Sequence, residues 1–171
     1  MKNVSTKKLV LTALFMALTT VSTMFIRIPL PFGYVNLGDV FVFLSVFVLG
    51  CFYGTIAAGF GSAFADLVGY ITYAPGTFII KSTMAIVAWL VFRLLFKTTK
   101  SAVISEIIAG VIGAIIMAFG YFFYETLFFC SAGVAILNLP YNLIQGAVGV
   151  ILSTIIMRVL FATKILEKLR Q

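Results

Sequence analysis

Residues 33–81, GYVNLGDVFVFLSVFVLGCFYGTIAAGFGSAFADLVGYITYAPGTFIIK, decide how this chain folds. Two apolar runs, 40–53 and 55–68, lie inside the stretch, with Asn36, Asp39, Asp66 and Lys81 at their edges. A charged side chain within a bilayer costs roughly 2.5–3.5 kcal/mol on insertion scales, so one that is kept there usually serves a function. If each run is a helix, the pair folds back on itself and all four polar residues return to one side of a membrane. There they would rim a cavity for a small polar molecule. The turn between the runs has to be tight, because only residues 50–54 separate them.

The rest of the chain agrees with a membrane setting. Its 171 residues are 63% hydrophobic and 10% charged, with no histidine. Soluble domains carry about 25% charged residues, so the solvent of this protein is lipid. Apolar runs place spans near 8–26, 36–53, 55–68, 76–96, 102–129 and 139–161. The expected architecture is therefore one all-α integral membrane domain over 1–171, a compact bundle of six transmembrane helices. Lys7 and Lys8 precede the first run as they would in a signal peptide. That run is long enough to span, however, and no small-residue cleavage site follows it, which predicts a retained helix.

Charge sets the orientation. Lys2, Lys7 and Lys8 precede the first span, Arg93, Lys97 and Lys100 lie between the fourth and fifth, and Arg158, Lys164, Lys168 and Arg170 end the chain. Six spans put all three groups on one face, which the positive-inside rule makes cytoplasmic, together with both termini. The net charge of +7 thus reflects orientation and not nucleic-acid binding. Pro29, Pro31, Pro75 and Pro140 fall in the loops or helix starts of the other face, where proline is tolerated. Phe32, Tyr34, Tyr70, Tyr73, Tyr121, Phe122, Phe123 and Tyr124 crowd the same side. They read either as an interfacial aromatic belt or as the walls of a pocket.

Four constellations could carry chemistry. Asn36 and Asp39 share a face at a helix start, where Asn36 can cap and Asp39 can meet a ligand or a polar network. Asp66 and Lys81 face one another across the third and fourth spans, as a structural ion pair or as groups offered to the cavity. Tyr121, Tyr124 and Glu125 form one stripe, with Glu125 a ligand candidate at the mouth. Asn138, Tyr141, Asn142 and Gln145 follow helical spacing on the last span. Asn138 may cap it, whereas Asn142 and Gln145 lie too deep for that and either bond across helices or contact a ligand. Spans two, four and six begin at this face, so their positive dipole ends would ring the site.

Other features are packing signals or absences. Gly54, Ala57, Ala58, Gly59, Gly61, Ser62, Ala63 and Ala65 let the third span approach its neighbours, and the Ala13/Ala17 pair could seat a partner protein. Cys51 and Cys130 show neither metal nor redox spacing and read as small packing residues. No phosphate-binding Gly-rich loop, His-Glu-x-x-His or Gly-x-Ser-x-Gly motif is present. No catalytic residue, cofactor or metal is expected. Without an evident inverted repeat, a self-contained secondary transporter is disfavoured. A small membrane enzyme using Asp39, Asp66 and Glu125, and a stand-alone channel or structural subunit, stay open as alternatives.

The chain resembles the substrate-binding (S) components of energy-coupling factor (ECF) vitamin transporters. The resemblance runs over nearly its whole length. It rests on the Ala13-x-x-x-Ala17 pair and on a block: Asn36-Leu-Gly-Asp39, Gly59-x-Gly-Ser-Ala-x-Ala-Asp66 and Tyr73-Ala-Pro-x-Thr77-x-x-x-Lys81. The block is similar to the riboflavin, pyridoxine, hydroxymethylpyrimidine and pantothenate branch. The resemblance implies a multi-pass protein of a prokaryotic plasma membrane that captures a vitamin in a pocket near the outer surface. It also implies a lid formed by residues 27–35, with Arg27, Phe32 and Tyr34. Ala13 and Ala17 would dock on a transmembrane coupling subunit, which works with two cytoplasmic ATPases. A pocket of Tyr, Asn, Asp and Lys suits a small hydroxylated heteroaromatic ring, hence pyridoxine or hydroxymethylpyrimidine. Riboflavin would need a larger cavity, and pantothenate a firm cationic clamp such as Lys81 or Arg27.

Overall fold

The helix Gly38–Leu49 holds the centre. In the computed structural model, which describes residues 6–29, 34–128 and 132–163, six helices form among the described residues. They are α1 (Thr6–Phe25), α2 (Gly38–Leu49), α3 (Cys51–Gly69), α4 (Ala74–Thr99), α5 (Ala102–Phe128) and α6 (Ala132–Ala162). Helices α1, α3, α4, α5 and α6 pack each against the next, and α2 touches α1, α3, α4 and α6. Nine of the 12 residues of α2 are buried. A helix that is apolar all round is one surrounded on all sides, by protein or by lipid.

That placement corrects the span expected at 36–53. Twelve residues rise about 18 Å, short of the roughly 30 Å hydrocarbon core. Five helices are long and apolar enough to cross a membrane, and α2 is not among them. The cause is Gly50, whose φ of +83° breaks the helix after Leu49 and lets α3 start at Cys51. The two backbones then touch: a Cβ on Gly54 would lie 2.5 Å from Val46 Cα. Ser45 Oγ donates to the Gly54 carbonyl across the same contact at 3.0 Å.

The small residues of α3 face inward, as internal packing requires. A Cβ on Gly61 would sit 2.8 Å from the Met16 carbonyl oxygen, and Thr20 Oγ1 donates to the Gly61 carbonyl at 2.8 Å. So α1 and α3 are in near-backbone contact. Cys51 is a free, half-buried thiol in the first turn of α3, and Cys130 lies outside the described residues.

Two further departures concern the loops. Strands β1 (Arg27–Pro29) and β2 (Tyr34–Asn36) pair antiparallel, with Arg27 opposite Asn36, so the fold is not purely helical. Pro29 favours an extended conformation at Ile28 before it. Helix α6 starts at Ala132, not near 139, and Pro140 stands inside it. Membrane helices tolerate proline where neighbouring groups satisfy the freed carbonyl. Asn138 is consequently mid-helix and caps nothing. Pro75 falls in the first turn of α4, and Pro31 lies outside the described residues.

Candidate functional site

One end of the bundle, where the hairpin lies over α1 and α6, holds a small cavity. Among the described residues, every side chain that lines it is polar or a tyrosine. The hairpin contributes Tyr34 and Asn36, α1 and α3 contribute Thr23, Ser62 and Asp66, and the start of α4 contributes Tyr73, Thr77 and Lys81. Tyr121 and Glu125 enter from α5, and Asn138, Asn142 and Gln145 from α6. These groups close around about 30 Å³ of free space, room for a water or two. A second hollow, of about 340 Å³ between α3 and α4, is walled by Phe60, Phe64, Leu67, Phe78 and similar groups. It has no polar group to orient a ligand.

The floor is an ion pair. Lys81 Nζ donates to Asp39 Oδ1 with both side chains at most 3% exposed. Gln145 Nε2 donates to Asp39 Oδ2 at 2.7 Å, and Gln145 Oε1 accepts from the Asn36 backbone N–H at 2.8 Å. Buried charges persist only when paired and hydrogen-bonded, and this network meets both conditions. It corrects the expected Asp66–Lys81 pair: the base of α4 turns to α2, and Asp66 instead accepts from the Tyr34 hydroxyl. Asp39 does not line the cavity; it holds Lys81, whose Nζ lies 5.5 Å from the Tyr121 ring centroid.

With Lys81 engaged by Asp39, the remaining charged groups of the lining are the carboxyls of Asp66 and Glu125. Asn138 Nδ2 donates to Glu125 Oε2 at 3.1 Å, and Thr77 Oγ1 and Tyr121 Oη share a hydrogen bond of 3.0 Å. The lining combines these two carboxyls with hydroxyl and amide donors, which suits a ligand that carries both donors and acceptors. Helices α2 and α4 do begin beside it. By contrast α6 begins six residues before Asn138, about 9 Å higher along its axis, so its dipole end does not join the ring.

The hairpin is held down by aromatic and ionic contacts. The Tyr34 and Tyr70 rings lie 4.8 Å apart, and the Arg27 guanidinium sits 5.7 Å from each. Cation–π contacts of this kind contribute roughly 0.5–1 kcal/mol at exposed sites. Burial, then the nearby Asp66 carboxylate, pushes the Tyr34 phenol above its ordinary range. Tyr34 thus keeps its proton and remains a donor to Asp66. Asn36 Oδ1 accepts from the Gly38 N–H at 2.8 Å, so this residue both starts α2 and lines the cavity.

Of the residues expected at the site, Asn36, Asp66, Tyr73, Lys81, Tyr121, Glu125, Asn138 and Asn142 are brought together, and Tyr34 joins them from the hairpin. Tyr141 is a correction: it is 48% exposed and lines nothing there, since it sits at the margin of the polar stripe on α6. Tyr124 also turns away, donating to the Thr72 carbonyl at 2.7 Å. Arg27 packs on the outside of the tyrosines, and Phe32 lies outside the described residues. Ala13 and Ala17 are exposed on the side of α1 opposite the buried Thr12, Phe15 and Thr19. Sequence reasoning passed over Thr23 as a site residue. It took Ser62 only as a packing residue, quoted Thr77 only within the family block, and offered Gln145 as either an interhelical bond or a ligand contact. Gln145 lines the cavity and also bonds Asp39 and Asn36. It also missed Glu106, buried in α5 and bonded to Arg158 of α6 at 2.6 Å. An acid within an apolar run was the available signal for that pair.

Known proteins share this architecture. The family described as ECF-type riboflavin transporter, S component, matches residues 3–162. A Pyrococcus woesei protein, described as an uncharacterized protein in a gap 3' region, is 33% identical over 136 residues, 78% of this chain and 87% of its own. A solved structure described as the S component of a bacterial ECF transporter covers 92% of this chain and 96% of its own. It superposes with a TM-score of 0.68 at 23% identity, a likeness of fold.

Proposed function

Because the chain belongs to the ECF-type riboflavin transporter S component family, the substrate-binding subunits of prokaryotic plasma-membrane vitamin transporters, we propose that its polar cavity captures a single-ring, hydroxylated nitrogen heterocycle. Pyridoxine and hydroxymethylpyrimidine are the substrates of that description. The family consists of transport subunits that associate with an energy-coupling module, which sets aside the membrane-enzyme alternative.

One observation carries the substrate class. The described lining residues all carry polar groups, with tyrosines as the aromatic surface. Ligand sites are usually mostly apolar with a few placed polar groups, so this one favours a ligand with polar atoms around its whole edge. A cavity of about 30 Å³ has to open for any vitamin, and a single ring demands the least opening. Two carboxyls in the lining and a Lys81 already held by Asp39 disfavour the carboxylate of pantothenate. Riboflavin is the second reading, favoured by the family's description. It requires the hairpin and the α5–α6 wall to move further apart.

In this reading the hairpin end faces outward, the basic end and both termini face the cytoplasm, and Tyr34 and Arg27 form the lid. Ala13 and Ala17 present α1 to a transmembrane coupling subunit that works with two ATPases. The test is titration of the purified, detergent-solubilised chain with pyridoxine, hydroxymethylpyrimidine, riboflavin and pantothenate, after mass spectrometry of co-purifying small molecules. Tightest binding of one of the first two is expected. Tightest binding of riboflavin selects the second reading, and binding of none of the four overturns both.

A further inference from the structure

Hydroxyls inside membrane helices normally bond back to their own backbone. Three threonines of α1 do so: Thr12, Thr19 and Thr20 donate to the carbonyls of Lys8, Phe15 and Met16 at 2.7, 2.8 and 2.9 Å. So do the buried serines Ser45, Ser105 and Ser153, at 2.7, 2.7 and 3.1 Å. Two residues of the cavity lining break the habit. Among the described residues, Thr23 Oγ1 and Ser62 Oγ have no hydrogen-bond partner, although the residues are only 3% and 1% exposed. Thr55 and Thr154 carry unpartnered hydroxyls too, but neither lines the cavity.

Leaving a buried hydroxyl unsatisfied is unfavourable, and the helix backbone offers each of these a partner one turn away. Thr23 is also fixed in place. A Cβ on Gly38 would lie 2.0 Å from its Oγ1, so the absence of a side chain at 38 is what leaves the hydroxyl its room. Elsewhere the lining is largely engaged with itself. Asp66 accepts from Tyr34, Thr77 is bonded to Tyr121, Lys81 to Asp39, and Asn138 to Glu125. Among the described residues, the lining's fully enclosed polar atoms that lack a partner both lie on the wall that α1 and α3 share.

We propose that Thr23 and Ser62 form a specificity subsite that binds a hydroxyl of the substrate, each residue able to donate or accept one hydrogen bond. This rests on the reading of the cavity as the vitamin site. It adds an orientation: the hydroxyl-bearing edge of the ring faces α1 and α3, and the donor-bearing edge faces Glu125 and Asp66. It also puts a substrate contact on α1, the helix whose opposite side carries Ala13 and Ala17.

The test pairs protein variants with ligand variants. Purified wild type, Thr23→Val, Ser62→Ala and Thr23→Ser are titrated with three pairs of probes. These are pyridoxine against 4-deoxypyridoxine, hydroxymethylpyrimidine against 4-amino-2,5-dimethylpyrimidine, and riboflavin against lumichrome. Wild type should prefer the hydroxylated member of the pair it binds by roughly threefold to tenfold per hydrogen bond. Thr23→Val and Ser62→Ala should each reduce that preference, leave the affinity for the deoxy probe unchanged, and melt no lower than wild type without ligand. Thr23→Ser should restore the preference. If wild type binds a pair and both variants keep its ratio, the subsite is overturned while the vitamin cavity stands. If wild type binds none of the three pairs, the cavity reading fails and the subsite with it.

Discussion

The two ends of this bundle each hold a buried acid paired with a base, and they differ in what surrounds the pair. At the hairpin end, Asp39 and Lys81 are both enclosed, and Gln145 fills the second oxygen of Asp39. At the basic end, the Glu106 side chain is fully buried while Arg158 is 37% exposed. There Glu106 Oε1 and Arg158 Nε have no partner, and the guanidinium rests 4.9 Å from the Phe161 ring centroid. The first pair underlies the cavity, with both carboxylate oxygens of Asp39 bonded and Lys81 in the lining. The second joins α5 to α6 and is incompletely bonded among the described residues. The contrast is one of bonding: the pair at the cavity belongs to a polar network that runs on through Gln145 to Asn36, and the pair at the other end links two helices.

Breaking the hairpin-end pair should have the largest effect. Lys81→Met strands the Asp39 carboxylate, and removing one partner of a buried pair costs roughly 3–5 kcal/mol. A large fall in the detergent melting temperature and loss of ligand binding are expected together. Replacing both partners, Asp39→Leu with Lys81→Met, should recover most of the stability, because apolar substitutes for a buried pair are often neutral or better. It should not recover binding. A double variant that binds ligand normally would show that Lys81 is only structural, and the distinction between the two ends would collapse.

At the other end the effect should be smaller. Arg158→Met leaves Glu106 without its base, but the half-exposed position of Arg158 gives water a way to the carboxyl, so the cost should stay below that of Lys81→Met. The melting temperature should drop by a few degrees, with ligand affinity unchanged. The same titration checks it. A loss of affinity as large as that of Lys81→Met would mean that the α5–α6 stitch positions Glu125 and Asn138, so that the two ends act as one unit.

What could be read from the sequence follows the same division. Asp39, Asp66, Lys81 and Glu125 stood out because charge in an apolar run is rare and costly, and Asn138, Asn142 and Gln145 because they repeat at helical spacing. Their pairing was not legible: Asp39 and Lys81 are 42 residues apart, and nothing local distinguishes that match from Asp66 with Lys81. The short α2 was hidden by an apolar run that continues across Gly50, where a single positive φ decides whether the helix ends. Tyr141 looked like a member of the stripe, but one residue of helical rotation carries it to the outside. Thr23 and Ser62 gave no signal at all, since threonine and serine in membrane helices ordinarily satisfy themselves. Only coordinates reveal a hydroxyl that does not.

The smallest expected effect on the isolated chain is on the outside of α1. Ala13 and Ala17 are exposed, one turn apart, while the same helix buries Thr12, Phe15, Thr19 and Thr23 against the bundle. Small residues four apart let another helix approach closely, and bulk added there meets nothing within this chain. Ala13→Leu with Ala17→Leu should therefore leave melting temperature and ligand affinity within error of wild type. Uptake in cells that supply the coupling module should nevertheless be lost, because the added side chains hold the partner helix away. Equal loss of binding and uptake would place the alanines in the fold and not at a docking face. Retention of both would move the docking surface elsewhere on the bundle. Either result would also change how the two ends relate, since α1 carries Thr23 at the cavity and the alanine pair outside it. It is the helix best placed to make occupancy of one end felt by a partner on the lipid-facing side.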